Sequence, residues 1–360
     1  EATSKLFLQP DGEDLSVGGS TFTQSRLIER SAANPIKCYS VANRLLAVQG
    51  VDEPTLTLVH NFLSGYFFTP VETSQTQQPD HLIVINRADP PHFDVADGFK
   101  IEDGYCYLVD KQLLLVVNES TILVGEPESR RTEVWLSDTT QARHPLALNN
   151  VILYAVQSAL RRAGLYQFHA ACVLPATQAI GVLVVGDSGC GKSTLTATLV
   201  RNGWGFSTDD NLLLCETENG IIAWALRRYF TFHESTLKAC KLHEFDFAIG
   251  GRVDSNKLRF DARRAFPKRF VELCRPAAIL FPEITNESKS RITPMAQSNA
   301  LARLIEQCPW ATCDAAAAPK HLKALSDLIK QTKSYSLSAA RDIFEDPSSI
   351  SDLLSQEIES

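Results

Sequence analysis

Two hydrophobic rhythms alternate along this chain. Residues 56–68, LTLVHNFLSGYFF, put apolar side chains at helical spacing. The stretches DHLIVINRA (80–88), YCYLVD (105–110) and QLLLVVNES (112–120) read as strands, the last two parted by a tight turn. Between them SQTQQPD (74–80) and ADPPHFDVADG (88–98) carry loop chemistry. LNNVILYAVQSALRRA (148–163) is a long amphipathic helix, with Arg161 and Arg162 in its last turn and Gly164 as the stop. From Phe168 the order becomes strand, hairpin, strand, Gly-rich turn, helix, strand. Further strands are expected at 221–225, 277–281 and 334–337, and helices at 297–307 and 319–333. Glu345, Asp346 and the tail ISDLLSQEIES read as a solvated C-terminal helix.

This pattern divides the chain into a β-rich α+β N-terminal domain (1–147), an α/β domain (148–345) and a C-terminal tail or helix (346–360). With 360 residues, 44% hydrophobic and 21% charged, it has the balance of a globular protein with ample core, which excludes a disordered tail protein. A net charge of -7 argues against nucleic acid as a partner. No apolar run reaches the length of a membrane span, so no membrane partner is expected. The opening EATSKLFLQP lacks the basic and apolar stretches of a signal peptide. Nine scattered cysteines, an odd number without paired metal-ligand spacing, read as reduced, mostly buried thiols and favour a cytoplasmic location.

One motif carries chemistry. GVLVVGDSGCGKSTLTATLV contains Gly186, Asp187, Ser188, Gly189, Cys190, Gly191, Lys192 and Ser193 in the order GxxxxGK[ST], followed by Thr194. Glycines let successive backbone N–H groups turn toward one phosphate, Lys192 adds a point charge at the β/γ oxygens, and the Ser193 hydroxyl can ligate Mg²⁺. An apolar strand precedes the loop and a helix follows, so its N-terminal dipole also favours phosphate. Cys190 reads as a tolerated small residue rather than a redox switch.

Downstream, WGFSTDDN sets Asp209 and Asp210 after one helix, a turn at Asn202–Gly203 and a short strand. The doublet is expected at the end of a strand beside the P-loop, its carboxylates pointing to opposite sides. One acid can then place Mg²⁺ while the other takes a nucleophile's proton. A turn doublet is the bland alternative.

The run FHAACV…GVLVVGDSGCGKSTLTATLVRNGWGFSTDDNLLL resembles the core of the HPr kinase/phosphorylase-like group. The resemblance is close over 168–214, with a weaker echo in RPAAILFPEI, the helix at 297–307 and SYSLSAARDI. It implies an α/β P-loop domain of phosphoenolpyruvate carboxykinase/HPr kinase type behind the β-rich N-terminal domain. It also implies ATP and Mg²⁺ as cofactors, Lys192 and Ser193 on nucleotide and metal, Asp209 as catalytic base, Asp210 as metal ligand, and His169 near the transferring phosphate. Many related kinases are oligomers, so a homo-oligomer is a further expectation. Two departures separate the chain from true HPr kinases. Thr194 stands where they usually have Glu, and WALRRYFTFHE takes the place of EIRGLG. The resemblance is therefore to diverged HPr kinase-related proteins, some of which phosphorylate peptides or small molecules.

Arg227 and Arg228, after a strand end at Ala225, are the preferred phosphate clamp; Arg263, Arg264, Lys268 and Arg269 are further candidates, and His233 and Glu234 lie nearby. The leading expectation is a kinase that moves the γ-phosphoryl group to a hydroxyl of a small molecule or a peptide Ser/Thr. A P-loop ATPase or nucleotide-dependent switch is the alternative, and a non-catalytic nucleotide-binding module a third. The switch lacks a recognisable water-orienting residue, hhhhDE strand or ABC signature, and a dead site would be free to lose its acids.

Overall fold

The computed structural model describes residues 34–72, 78–95, 98–109, 111–137, 145–175, 180–240, 249–252 and 257–359. The N-terminal part begins with β1 (Ile36–Val41), β2 (Arg44–Gln49), α1 (Glu53–Leu63), β3 (Thr69–Val71) and β4 (His81–Asn86). It continues with β5 (Phe99–Ile101), β6 (Gly104–Val109), β7 (Gln112–Val117), β8 (Ser120–Val124) and β9 (Arg131–Trp135). These nine strands form one sheet in the order β3-β1-β2-β4-β9-β8-β7-β6-β5, parallel at β2–β4 and β4–β9 and antiparallel elsewhere. One face is buried under α1 and α2 (Pro145–Arg162). From the sheet come Val48, Ile83, Leu113, Leu115 and Ile122, and from α2 come Val151, Ile152, Ala155 and Val156, all in one apolar cluster.

The helix expected over 56–68 stops at Leu63. Asp52 caps its start through Thr55 N–H, and Ser64–Gly65 ends it. Tyr66 and Phe67 then extend. Tyr66 bridges to Arg227, Phe67 N–H donates to Leu226 O, and Arg228 N–H donates to Gly65 O. Tertiary pairing wins over the apolar spacing that reads as helix as far as Phe68. The loops expected at 74–80 and 88–98 lie partly outside the described residues.

The second sheet is built around two long strands, β10 (Leu165–Leu174) and β18 (Leu273–Ile284). Between them come β11 (Ile180–Val185), α3 (Lys192–Arg201), β12 (Gly205–Thr208), β13 (Asn211–Thr217) and β14 (Gly220–Ala225). Then follow β15 (Phe230–His233), α4 (Glu234–Ala239), β16 (Ile249–Arg252), β17 (Lys257–Phe260) and α5 (Ala262–Ala265). After β18 come β19 (Arg291–Pro294), α6 (Gln297–Glu306), α7 (Trp310–Cys313), α8 (Ala318–Gln331), β20 (Lys333–Ala339), α9 (Asp342–Glu345) and α10 (Pro347–Glu359). The path is β11-β10-β13-β14-β18-β20-β19, and β11 also pairs in parallel with β18. Strands β15, β17 and β16 form a separate small sheet. Helices α6 and α8 cover one face of the large sheet through Ala300, Leu304, Leu325 and Leu328.

The C-terminal tail departs from the solvated helix expected of it. On α10, Ile350 and Leu354 are buried in a cluster with Leu195 and Leu199 of α3, and Ser351 Oγ accepts a hydrogen bond from Trp204 Nε1 at 2.7 Å. Their spacing of four residues puts both on one stripe of the helix, which outweighs the acidic residues beside them.

All nine cysteines are free thiols, and seven are buried. Cys172 and Cys274 bring their sulfurs within 3.2 Å of each other in the core. Beside them sits Gly181, where a Cβ would meet Cys274 Sγ at 2.4 Å.

Candidate functional site

The P-loop runs from the end of β11 into α3. Gly189 and Gly191 have φ of +88° and +98°, the left-handed region that a side chain resists, and Gly191 is the N-cap residue of α3. Lys192 is only 7% exposed, and its ammonium donates to Gly186 O at 2.6 Å and Asp187 O at 3.0 Å. Gln307 Nε2 donates to Asp187 Oδ1 at 2.8 Å, tying the loop to the end of α6. Burial pushes the Cys190 thiol up, so Cys190 has no thiolate character. Thr194 Oγ1 lies 3.4 Å from Thr236 Oγ1 of α4.

Register brings the other predicted residues to this end of the sheet. Strand β10 is shared along its length. Its first half pairs with β13, ending at His169↔Asn211, and its second half pairs with β11 and β12, from Ala170↔Val185 and Cys172↔Thr208. One step past Ala170↔Val185, His169 stands level with Gly186 on one side and beside the doublet on the other. Asp209 and Asp210 form the bend between β12 and β13. The expected strand before the doublet is present, but it pairs with β10 rather than lying beside β11. Because β11 and β12 both run antiparallel to β10, the P-loop and the doublet still emerge at the same sheet end.

The two acids occupy opposite environments. Asp209 is 1% exposed. Its Oδ2 accepts from Thr231 N–H at 3.0 Å, while its buried Oδ1 has no partner among the described residues. Burial, then the charge of Asp210, push its carboxyl up to about 7. Asp210 is 21% exposed at its side chain; its Oδ1 meets His169 Nδ1 at 2.9 Å and its Oδ2 meets Arg227 Nη1 at 2.7 Å. Asn211 Nδ2 also donates to Oδ2, at 2.6 Å. Burial opposes ionisation here too, but the hydrogen bond from His169 and the charges of Arg227 and Lys192 outweigh it and hold the carboxyl below the usual carboxylate range.

Of the predicted clamp, Arg227 is at the doublet and Arg228 is not. Arg228 Nε donates to Tyr66 O at 2.6 Å, and its guanidinium lies over Phe67. Arg263 also lies over Phe67 and Phe270 and pairs with Asp261, as Arg264 does. These arginines join the N-terminal segment to the second half of the chain. His233 is exposed, and Glu234 pairs with Lys238 on the surface.

Two residues here were not legible in the sequence. Tyr66 arrives from the N-terminal part, where desolvation pushes its phenol up against the opposing charges of Arg227 and Arg259. Arg259 arrives on β17, whose register sets it opposite Thr231, the residue that holds Asp209. A lone arginine in a polar stretch carries no pattern that marks it.

No family model and no curated protein matches this chain. Among solved structures, the Hpr(Ser) kinase/phosphatase from Coxiella burnetii aligns at 12% identity over 53% of this chain and 95% of that one, with a TM-score of 0.28. That likeness is distant and carries no argument about the site. Among the described residues, no helix is long and apolar enough to cross a membrane.

Proposed function

We propose that this chain is an ATP- and Mg²⁺-dependent phosphotransferase of the HPr kinase-related kind, passing the γ-phosphoryl group to a hydroxyl of a small molecule or peptide. The observation that carries the reading is the split acid doublet at the sheet end that bears the P-loop. Paired acids whose surroundings drive their pKa values apart are suited to separate acid–base roles. Asp209, with an unpartnered Oδ1 and a carboxyl near 7, is fit to accept a proton at neutral pH. Asp210, held ionised, is fit to attract a cation.

The residues present fit Mg²⁺. Among the described residues no three His, Cys, Asp or Glu side chains converge into a cage, and Mg²⁺ in such sites takes only one or two protein oxygens besides phosphate and water. Ser193 Oγ and Asp210 would hold it, and when bound it neutralises charge on the β and γ phosphates. The backbone N–H groups of the Gly189–Gly191 turn and the Lys192 ammonium bind the nucleotide's phosphates. In the transfer step the acceptor oxygen bonds to the γ-phosphorus as its proton passes to Asp209. The bond from that phosphorus to the β–γ bridging oxygen breaks, and ADP leaves with the electron pair. Arg227 steadies the negative charge spread over the equatorial oxygens, and His169 keeps Asp210 oriented.

The test is calorimetric titration of ATP with and without Mg²⁺, followed by mass spectrometry of peptide and metabolite pools incubated with the protein. The expected result is Mg²⁺-dependent binding and an acceptor heavier by one phosphoryl group, both lost in Lys192→Ala. Transfer to water alone would move the chain to the ATPase or switch class. No nucleotide binding would refute the reading.

A further inference from the structure

Among the described residues, Arg259 has no carboxylate partner. Its Nε is buried and finds no acceptor among the described residues. Its guanidinium lies 5.7 Å from the centre of the Tyr229 ring, and among the described residues the titratable groups that act on it are Arg227, Tyr66 and Tyr229, none of them a carboxylate. Burial, then the like charge of Arg227, push its pKa down. Arg227 has an anion, since Asp210 accepts its Nη1. Tyr66 is half-buried, and desolvation pushes its phenol up, so Tyr66 is a neutral hydroxyl at physiological pH. Arg227 and Tyr66 thus act with the ionised Asp210, while Arg259 acts with Arg227 and Tyr66 and has no carboxylate of its own among the described residues. Leaving a buried guanidinium donor unmade costs free energy that a ligand oxyanion would recover, and a planar fork suits carboxylate or phosphate geometry.

Position decides which ligand this serves. Lys192 acts on Asp210 but is not among the groups that act on Arg259. Arg259 is instead the register partner of Thr231, on the side of Asp209 that faces the small sheet. Resting on the phosphotransfer reading above, we propose that Arg259, with Arg227 and Tyr66, forms an oxyanion subsite for the acceptor. The acceptor then carries a carboxylate or phosphate group besides the hydroxyl that meets Asp209. The N-terminal part of the chain contributes to specificity through Tyr66.

The probe is inorganic phosphate, titrated into protein already saturated with Mg²⁺ and a non-hydrolysable ATP analogue, so that the P-loop is filled. The wild type should bind phosphate at one further site. Arg259→Ala should weaken it by at least about tenfold, the scale of one charge-assisted contact, with analogue affinity changed less than about twofold. Acceptors found by mass spectrometry should be anionic. Absence of phosphate binding in the wild type, equal binding in Arg259→Ala, a parallel loss of analogue affinity, or a set of exclusively neutral acceptors would each overturn the subsite. If Arg259→Ala fails to fold, Arg259→Gln makes the same comparison. Failure of the analogue to bind the wild type sinks the phosphotransfer reading instead, and phosphate titration of the free wild type and variant then decides the anion site by itself.

Discussion

Replacing Asp209 by Asn isolates the cost of the buried carboxylate. In the folded chain its carboxyl is raised from 3.8 to about 7, chiefly by burial. The native state therefore keeps a proton that the unfolded chain releases, and the wild type loses stability as pH rises from about 4 through about 7. A shift of about three units at about 1.4 kcal/mol each sets a ceiling of about 4 kcal/mol on that loss. Asparagine is nearly isosteric and cannot ionise, so its own packing offset is independent of pH. The assay is the thermal midpoint of wild type and Asp209→Asn from pH 4 to pH 9. The stability of the variant relative to wild type should grow across the interval from about 4 to about 7 and level off above it. In the same window wild-type transfer should rise with pH as the base ionises, and the variant should bind nucleotide without transferring. A difference that stays flat with pH, or that grows in favour of the wild type, would refute the assignment of the raised carboxyl to Asp209.

Lys192→Ala should weaken Mg²⁺–ATP binding by about 10- to 100-fold in calorimetry, the loss of one charge-assisted contact to phosphate. Gly191→Ala, at a φ of +98°, should cost about 1–2 kcal/mol in a denaturant melt and reduce nucleotide affinity with it, because the strain falls on the loop proposed to hold phosphate. Asp314 meets Arg161 at 3.3 Å and Arg162 at 2.8 Å, with all three side chains 1–2% exposed. Asp314→Ala should therefore destabilise by about 3–5 kcal/mol in urea, since two buried guanidinium groups lose their counter-ion. Gly181→Ala should cost about 1–3 kcal/mol in the same measurement, because the new Cβ displaces the Cys274 sulfur.

Much of the site was legible because its parts are local. The P-loop needs a strand, a glycine turn and a helix in sequence, and β11, Gly189, Gly191 and α3 are contiguous. The doublet was legible from its distance to Lys192, since one helix and one short strand fill that distance. The large helix, the strands at 220–225 and 333–339, and helices α6 and α8 follow from periodicity alone. What was not legible depends on pairing between distant segments. Nothing local distinguishes Asp209 from its neighbour; the Thr231 N–H and the small sheet do so. Tyr66 sits in a stretch of helical apolar spacing, and its reach to Arg227 comes from a bridge that periodicity does not encode. The tail reads as polar by composition, while two apolar residues on one stripe decide its burial.

The bridge between Tyr66 and Arg227 has a consequence for synthesis. Tyr66 bridges to Arg227 beside the doublet and accepts from Arg228, 162 residues away, while Asp209 depends on the backbone of Thr231 and on a strand still later in the chain. Such distant contacts close late, because the loop entropy must be met before they form. As the chain leaves the ribosome, the nine-stranded sheet emerges well before its partners in the site. The P-loop waits for later chain as well, since its strand β11 pairs with β18 and Asp187 is held by Gln307. Both halves of the candidate site are thus completed only once the chain past Gln307 has been made.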